Sequence, residues 1–264
     1  MARRRGCLVT RIFHDDRTEL WCGDYRTVGI ERSPGVAAHQ LAVHVIIDPP
    51  YDETTHKNAR TNDGSGHGTK LGIDFAAFDD EQMRQFSEWC YATANGWILI
   101  FCAVEQVGPW KAALEAAGCR WMRAQAWVKV APTPQFTGDR PGQWGECIAT
   151  AWAGKSKHRR ADPEWNGGGV AGVYHYAAQE PGITRVHPTQ KPILLMRNLV
   201  SLFTNPHDLV LDPFAGSGTT LRAARDLGRL AVGCELREDY AREAAARLGD
   251  LSCIDSKSQL PLFG

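Results

Sequence analysis

The four consecutive residues Asp48-Pro49-Pro50-Tyr51 carry the clearest chemistry in this chain. The run Ala42-Val43-His44-Val45-Ile46-Ile47 leads into them and is rich in the β-branched residues that favour a strand. An acid, two prolines and an aromatic are therefore expected at the carboxyl end of a buried strand, where open α/β sheets place their ligands. Neither proline has an N–H to donate and each fixes φ, so the turn is stiff and its carbonyls are limited in where they point. A stiff set of acceptors beside an aromatic face suits the holding of a flat heterocycle that carries an amino group. The plain alternative is a surface proline turn, against which the preceding strand and a second motif downstream both argue.

That second motif is Leu209-Val210-Leu211-Asp212-Pro213-Phe214-Ala215-Gly216-Ser217-Gly218-Thr219-Thr220, an apolar strand followed by a glycine turn that opens a helix. Gly216 and Gly218 let the backbone approach a ligand closely. Leu221 stands where a dinucleotide fingerprint has its third glycine, and no Gly-Lys-Ser/Thr follows, which excludes a P-loop. Glu235 closes the next apolar run, Leu230-Ala231-Val232-Gly233-Cys234, where an acid can accept hydrogen bonds from both hydroxyls of a ribose. Otherwise it is a surface carboxylate at a strand end.

Between the two motifs lies His187-Pro188-Thr189-Gln190-Lys191-Pro192. The three elements in this order, over roughly residues 20–250, resemble the amino-methyltransferases of DNA, which methylate the exocyclic nitrogen of adenine or cytosine using S-adenosylmethionine. The match is narrower still to the β group, in which the catalytic motif precedes the cofactor motif. Nothing in the turn is built to hold a pyrophosphate, so S-adenosylmethionine fits it better than NAD. The resemblance implies that Phe214 flanks the cofactor adenine, and that Asp212 with Gly216, Ser217, Gly218 and Thr219 lines its methionine and ribose. His187, Thr189 and Lys191 match the segment at the methionine end, where Lys191 pairs with the carboxylate. Asp24, in Trp21-Cys22-Gly23-Asp24, matches a short motif near the cofactor adenine, although an Asp that closes a strand by forming a turn fits the same residues.

An exocyclic amine is a poor nucleophile because its lone pair is delocalised into the ring. Acceptance of its two hydrogens by the Asp48 carboxylate and the Pro49 carbonyl draws the nitrogen towards tetrahedral geometry, with Pro50 stiffening the turn and Tyr51 stacking on the base. Positioning and electrostatics then supply most of the rate, and no metal is needed. The target base must leave the duplex to be reached. Asp at the first position leans towards adenine N6; a cytosine-N4 enzyme is the nearest alternative. More distant ones are methylation of RNA or of a protein glutamine, and a non-catalytic DNA-binding scaffold, against which intact Asp48, Tyr51, Gly216 and Glu235 argue.

These residues need elements to hold them. Strands are expected at 42–47, 97–102, 123–130, 146–152, 208–212 and 230–235, and helices at 80–94, 108–117, 189–203, 217–227 and 238–248. Asp79 or Asp80 caps the first helix and Gly228 follows the fourth as a stop. Such alternation predicts an α/β fold, a mainly parallel twisted sheet with helices on both faces, Rossmann-like, in a single methyltransferase domain over 1–264. At 264 residues, 43% apolar and 23% charged, the chain can bury a sizeable core. No endonuclease domain fits in that length, so a stand-alone or separately encoded enzyme is expected. No run is long enough to cross a bilayer, and no apolar segment follows basic Met1-Ala2-Arg3-Arg4-Arg5, which points to the cytoplasm. The eight cysteines form no Cys-x-x-Cys pair and read as small buried hydrophobes. Cys147 lacks the Pro-Cys context of a nucleophile acting on cytosine carbon.

Two segments break the alternation, about 52–74 and 153–186, and are expected to face double-stranded DNA. Net charge is zero, but phosphate contacts need only a local basic surface. Lys57 and Arg60 in the first segment, and Lys155, Lys157, Arg159 and Arg160 in the second, are the candidates; a solvated charge run is the alternative. Trp165, Tyr174, His175 and Tyr176 add aromatic and imidazole groups able to meet bases. Relatives of this group are often dimers; the sequence neither shows nor excludes a homodimer.

Overall fold

The computed structural model describes residues 9–32, 42–49, 78–132, 134, 138–154, 162–179 and 190–249, and the backbone at 60–61 and 69–70. In chain order the elements are β1 (Thr10–His14), β2 (Thr18–Cys22), the short helix α1 (Tyr25–Val28), β3 (Val43–Ile47), the two-residue strands β4 (Arg60–Thr61) and β5 (Thr69–Lys70), α2 (Asp80–Thr93), β6 (Trp97–Cys102) and α3 (Val107–Ala116). There follow β7 (Arg120–Val130), β8 (Gly145–Trp152), β9 (Val173–Ala177), α4 (Ile193–Phe203), β10 (Leu209–Asp212), α5 (Thr219–Asp226), β11 (Leu230–Glu235) and α6 (Glu238–Gly249).

Nine strands form one sheet in the order β1-β2-β11-β10-β3-β6-β8-β7-β9, and β4 pairs with β5 apart from it. The central run β2, β11, β10, β3 and β6 is parallel throughout; β1 and β8 run against their neighbours, and β9 is parallel to β7. The central strands are buried on both faces, which is why they read as continuous apolar runs rather than alternating ones. One core cluster joins Ile46, Leu99, Val210 and Trp127 to Leu195, Leu199, Leu221, Ala244 and Leu248 of α4, α5 and α6. The other joins Val45, Ile47, Ile100 and Leu211 to Met83, Phe86, Trp110 and Leu114 of α2 and α3. The expected mainly parallel sheet with helices on both faces is therefore found.

His44 is the one polar residue in β3. Its Nδ1 accepts from Trp97 N–H at 3.0 Å, so Nε2 carries the hydrogen and donates to Asp208 at 3.2 Å. This ties the amino ends of β3, β6 and β10 together, away from the motifs.

α2 starts where expected, and the starts of α4 and α5 differ from expectation for identifiable reasons. Asp79 caps α2 by a reciprocal box, accepting from Gln82 N at 2.7 Å while the Gln82 side chain accepts from Asp79 N at 3.0 Å. α4 begins at Ile193 rather than 189, because Pro192 is its cap. α5 begins at Thr219 rather than 217, because Gly216 and Gly218 sit at φ +50° and +74°, outside helical geometry.

Three strands of the main sheet were not expected, β1, β2 and β9, and neither was the separate β4–β5 pair. β9 lies inside the segment read as a DNA-facing loop and corrects it in part. Tyr174 is 4% exposed and donates its hydroxyl hydrogen to Gln125, so it belongs to the core and not to a base-contacting surface. Trp165 packs edge-on against Phe203 at 4.8 Å and donates to the Gly168 carbonyl, which anchors the loop; His175 stays exposed. Cys90, Cys102, Cys119, Cys147 and Cys234 are buried thiols outside any disulfide, and burial raises the pKa of Cys147, away from reactivity. Among the described residues no helix is long and apolar enough to cross a membrane.

Candidate functional site

The motif residues leave the sheet at the carboxyl ends of four neighbouring strands. Ladder register sets them in a row: Glu235 of β11 lies opposite Cys22 of β2, Asp212 of β10 opposite Gly233, and Leu211 opposite Val45, three residues before Asp48. From β10 the chain moves through α5 to β11 on one side, and from β3 through α2 to β6 on the other. The strand order thus reverses between β10 and β3, the point at whose carboxyl ends doubly wound sheets place their ligand crevice.

One half of the crevice is the glycine turn. Gly218 N donates to Ala215 O at 2.7 Å, and a side chain on Gly218 would meet Ala244 of α6 at 3.1 Å. Glu235 is 7% exposed; its Oε2 accepts from Gly216 N at 2.9 Å and its Oε1 from Arg237 N at 2.8 Å. Burial raises its pKa. A carboxylate has about four acceptor positions, so each oxygen keeps capacity for a ligand hydroxyl after these two bonds. Asp212 is 2% exposed and accepts from Phe214 N at 3.0 Å. Burial pushes its carboxyl up to about 7, reinforced by the charges of Asp48 and Glu235 and opposed by hydrogen bonds from Thr220 and Phe214 N.

Phe214 is half-buried in an aromatic nest, 5.4 Å from each of Tyr25, Phe78 and Phe86 in tilted or edge-on contacts. Ser217 and Thr219 are buried, their hydroxyls 3.1 Å apart, with the Arg247 guanidinium donating to Thr219. Asp24 caps α1, accepting from Arg26 N at 3.0 Å, and the Arg26 guanidinium holds its carboxyl below the usual range. Its visible work is the turn at the end of β2, which Gly23 N ties to the Glu235 carbonyl at 2.9 Å.

The other half begins at Asp48, directly after β3. Lys191 reaches it from the approach to α4: Nζ donates to Asp48 Oδ2 at 2.5 Å and lies 3.1 Å from Glu146 Oε2. Lys129 pairs with the other Glu146 oxygen at 2.9 Å. Lys191 is 6% exposed and sits against the rings of Phe101 and Trp127, 5.1 and 5.9 Å from their centres. Burial lowers its pKa, but Asp48 and Glu146 outweigh that and leave it raised, so the ammonium persists. The resemblance assigned Lys191 to a ligand carboxylate; here its carboxylate partners are the protein's own.

The structure thus brings Asp48, Pro49, Lys191, Asp212, Phe214, Gly216, Ser217, Gly218, Thr219 and Glu235 to the carboxyl ends of adjoining strands or their connections. Pro50, Tyr51, Lys57, Lys155, Lys157, Arg159, Arg160, His187 and Thr189 lie outside the described residues, and Arg60 is described by its backbone alone. Sequence reasoning missed Glu146, Lys129, Tyr25 and Phe78. Glu146 did carry a signal, being the one charge in the otherwise largely apolar β8; Lys129 did not stand out, because β7 also carries Arg120 and Arg123.

Residues 42–246 match the model of the N6/N4 DNA methylases. The chain belongs to this DNA methylase family. Among curated relatives it is 50% identical over 64 residues to the methylase YubD of Escherichia coli (strain K12), a stretch covering 24% of this chain and 28% of that protein. It is 35% identical over 100 residues to the type II methyltransferase M1.MboII of Moraxella bovis, covering 35% and 38%. The chain therefore spans about a third of the length of these relatives. Among solved structures, M1.HpyAVI in complex with SAM aligns at TM-score 0.63 and 24% identity over 88% of this chain and 100% of that one. The cytosine-N4-specific PvuII DNA methyltransferase aligns at 0.68 and 14% over 91% and 89%. At those identities the likeness to the solved structures is one of fold.

Proposed function

We propose that this DNA methylase family member transfers a methyl group from S-adenosylmethionine to the N6 of an adenine flipped out of double-stranded DNA. The observation that carries the reading is the placing of Asp48 and the Gly216–Glu235 pair on adjoining strand ends at the point where strand order reverses.

The residues present fit the cofactor. Glu235 has acceptor capacity for the ribose hydroxyls, Phe214 offers a half-buried ring to the adenine, and the backbone at Gly216 and Gly218 admits close approach. When bound, S-adenosylmethionine supplies a methyl group already activated by the sulfonium charge. The Asp48 carboxylate and Pro49 carbonyl accept the two amine hydrogens and expose the nitrogen lone pair; Tyr51 stacks on the base, worth about 1–3 kcal/mol. Asp48 or water takes the proton released. The acid at the head of the tetrapeptide favours adenine; cytosine N4 is the alternative, and the PvuII enzyme shares the fold.

Labelled methyl transfer to unmethylated duplex DNA, followed by nucleoside digestion and mass spectrometry, tests this. N6-methyladenine is expected. N4-methylcytosine alone would keep the mechanism and overturn the base, and neither product would overturn both.

Asp212 adds a pH dependence. Its carboxyl keeps its proton below about pH 7 and is anionic above it. The cofactor's sulfonium is cationic, so its affinity should strengthen as pH rises through about 7, with release of a proton on binding below that point. Calorimetry at pH 6 and 8, in buffers of different ionisation enthalpy, should show this difference, and Asp212→Asn should remove it. An equal pH response in both proteins would sink the assignment.

A further inference from the structure

We propose that Glu146 is a positioning residue for Asp48, acting through Lys191; this rests on the methyl-transfer reading above. Four separate pieces of chain converge on the pair: the end of β3, β7, β8 and the approach to α4. Glu146 lies directly opposite Trp127 in the β7–β8 ladder, and Lys129, two residues on, shares that face. The side chains of Lys191 and Glu146 are almost fully buried, and those of Lys129 and Asp48 mostly so. Two carboxylates and two ammonium groups leave the chain Asp48–Lys191–Glu146–Lys129 formally neutral.

The geometry gives each link a task. A carboxylate on the short Asp48 side chain can turn about its own bonds. Donation by Lys191 to Oδ2 at 2.5 Å fixes one oxygen, and with it the direction of the other. Lys191 is a flexible four-carbon stem and cannot hold that position unaided. The rings of Phe101 and Trp127 flank its ammonium, and Glu146, 3.1 Å from Nζ, supplies the second anion that stops it from swinging. Lys129 in turn holds the other Glu146 oxygen. Removal of one member of a buried ionic set leaves an uncompensated charge that its neighbours must move to meet. Since misplacement of a reacting group by about 1 Å costs on the order of 100-fold in rate, the loss should be read in kcat.

The test compares wild type, Glu146→Gln and Glu146→Asp by single-turnover methyl transfer at saturating DNA and cofactor, with S-adenosylmethionine affinity measured separately by calorimetry. Glu146→Gln is expected to lower kcat by about 10- to 100-fold with cofactor affinity unchanged, and Glu146→Asp, which keeps the charge, to recover part of the rate. Full kcat in Glu146→Gln beside an active wild type overturns the positioning role alone. So does a loss of cofactor affinity that accounts for the lost rate, since Lys191 would then serve the cofactor. Should Glu146→Gln fail to fold, the same split between kcat and affinity in Glu146→Asp decides. A wild type that methylates neither base overturns the functional reading itself and the positioning role with it.

Discussion

Asp48→Ala should lower single-turnover methyl transfer by about 1,000-fold or more while leaving S-adenosylmethionine affinity within a few-fold of wild type. Proton acceptance by a positioned side chain and preorganised electrostatics are each worth about 100-fold or more, and Asp48 is asked to supply both. The cofactor side of the crevice is built on β10 and β11 and does not depend on Asp48 for its hydrogen bonds: Glu235 takes its donors from Gly216 and Arg237, and Asp212 takes one from Phe214 N. Lys191 loses one carboxylate in the variant but keeps Glu146 at 3.1 Å, so the buried ammonium is not stranded. Asp48→Asn retains one carbonyl acceptor without the charge and should fall between the two. Rapid-quench transfer with calorimetry checks both quantities, and an Asp48→Ala rate within tenfold of wild type would remove this residue from the mechanism.

Glu235→Ala should give the opposite split. Hydrogen bonds to a charged acceptor contribute about 1.5–3 kcal/mol each, so loss of two to the ribose predicts a cofactor affinity weaker by about 100-fold or more. Transfer should recover towards the wild-type rate at saturating cofactor. The variant should also lose stability, since Gly216 N and Arg237 N would be left without an acceptor in a buried site, at about 1–3 kcal/mol for each group that stays dry. Glu235→Gln keeps the shape and one acceptor, and should lose less of both. An unchanged dissociation constant in Glu235→Ala would mean that the carboxylate only braces the glycine turn.

These two variants separate the halves of the crevice, and the halves differ in how legible they were. Gly216, Gly218 and Glu235 could be read directly, because a tight turn, close backbone approach and an acid at the next strand end are local demands that leave local marks. Asp48 and Pro49 were legible for the same reason. Lys191 was found only through a resemblance, and the structure gives it protein partners, Asp48 and Glu146, where a ligand carboxylate had been expected. Glu146 was overlooked although it is the single charge in β8, and Lys129 because it is one of three basic residues in β7. β9 was hidden because Tyr174 and Tyr176 follow a glycine-rich polar stretch, so the segment read as a loop; pairing with β7 is what makes it a strand.

By itself the sequence determined the central strands, the helices that cover them and the two motifs, since hydrophobic periodicity, proline and glycine act over a few residues. It also determined the α/β class, because strands buried on both faces must be apolar throughout and need helices to cover them. The tertiary structure decided which strand ends are neighbours. Placing β10 beside β3 brings Asp212 near Asp48 across more than 160 residues of chain, and placing β8 between β6 and β7 carries Glu146 to Lys191. Ionic contacts of that kind depend on register and burial summed over the whole sheet, and no local pattern in the chain encodes them.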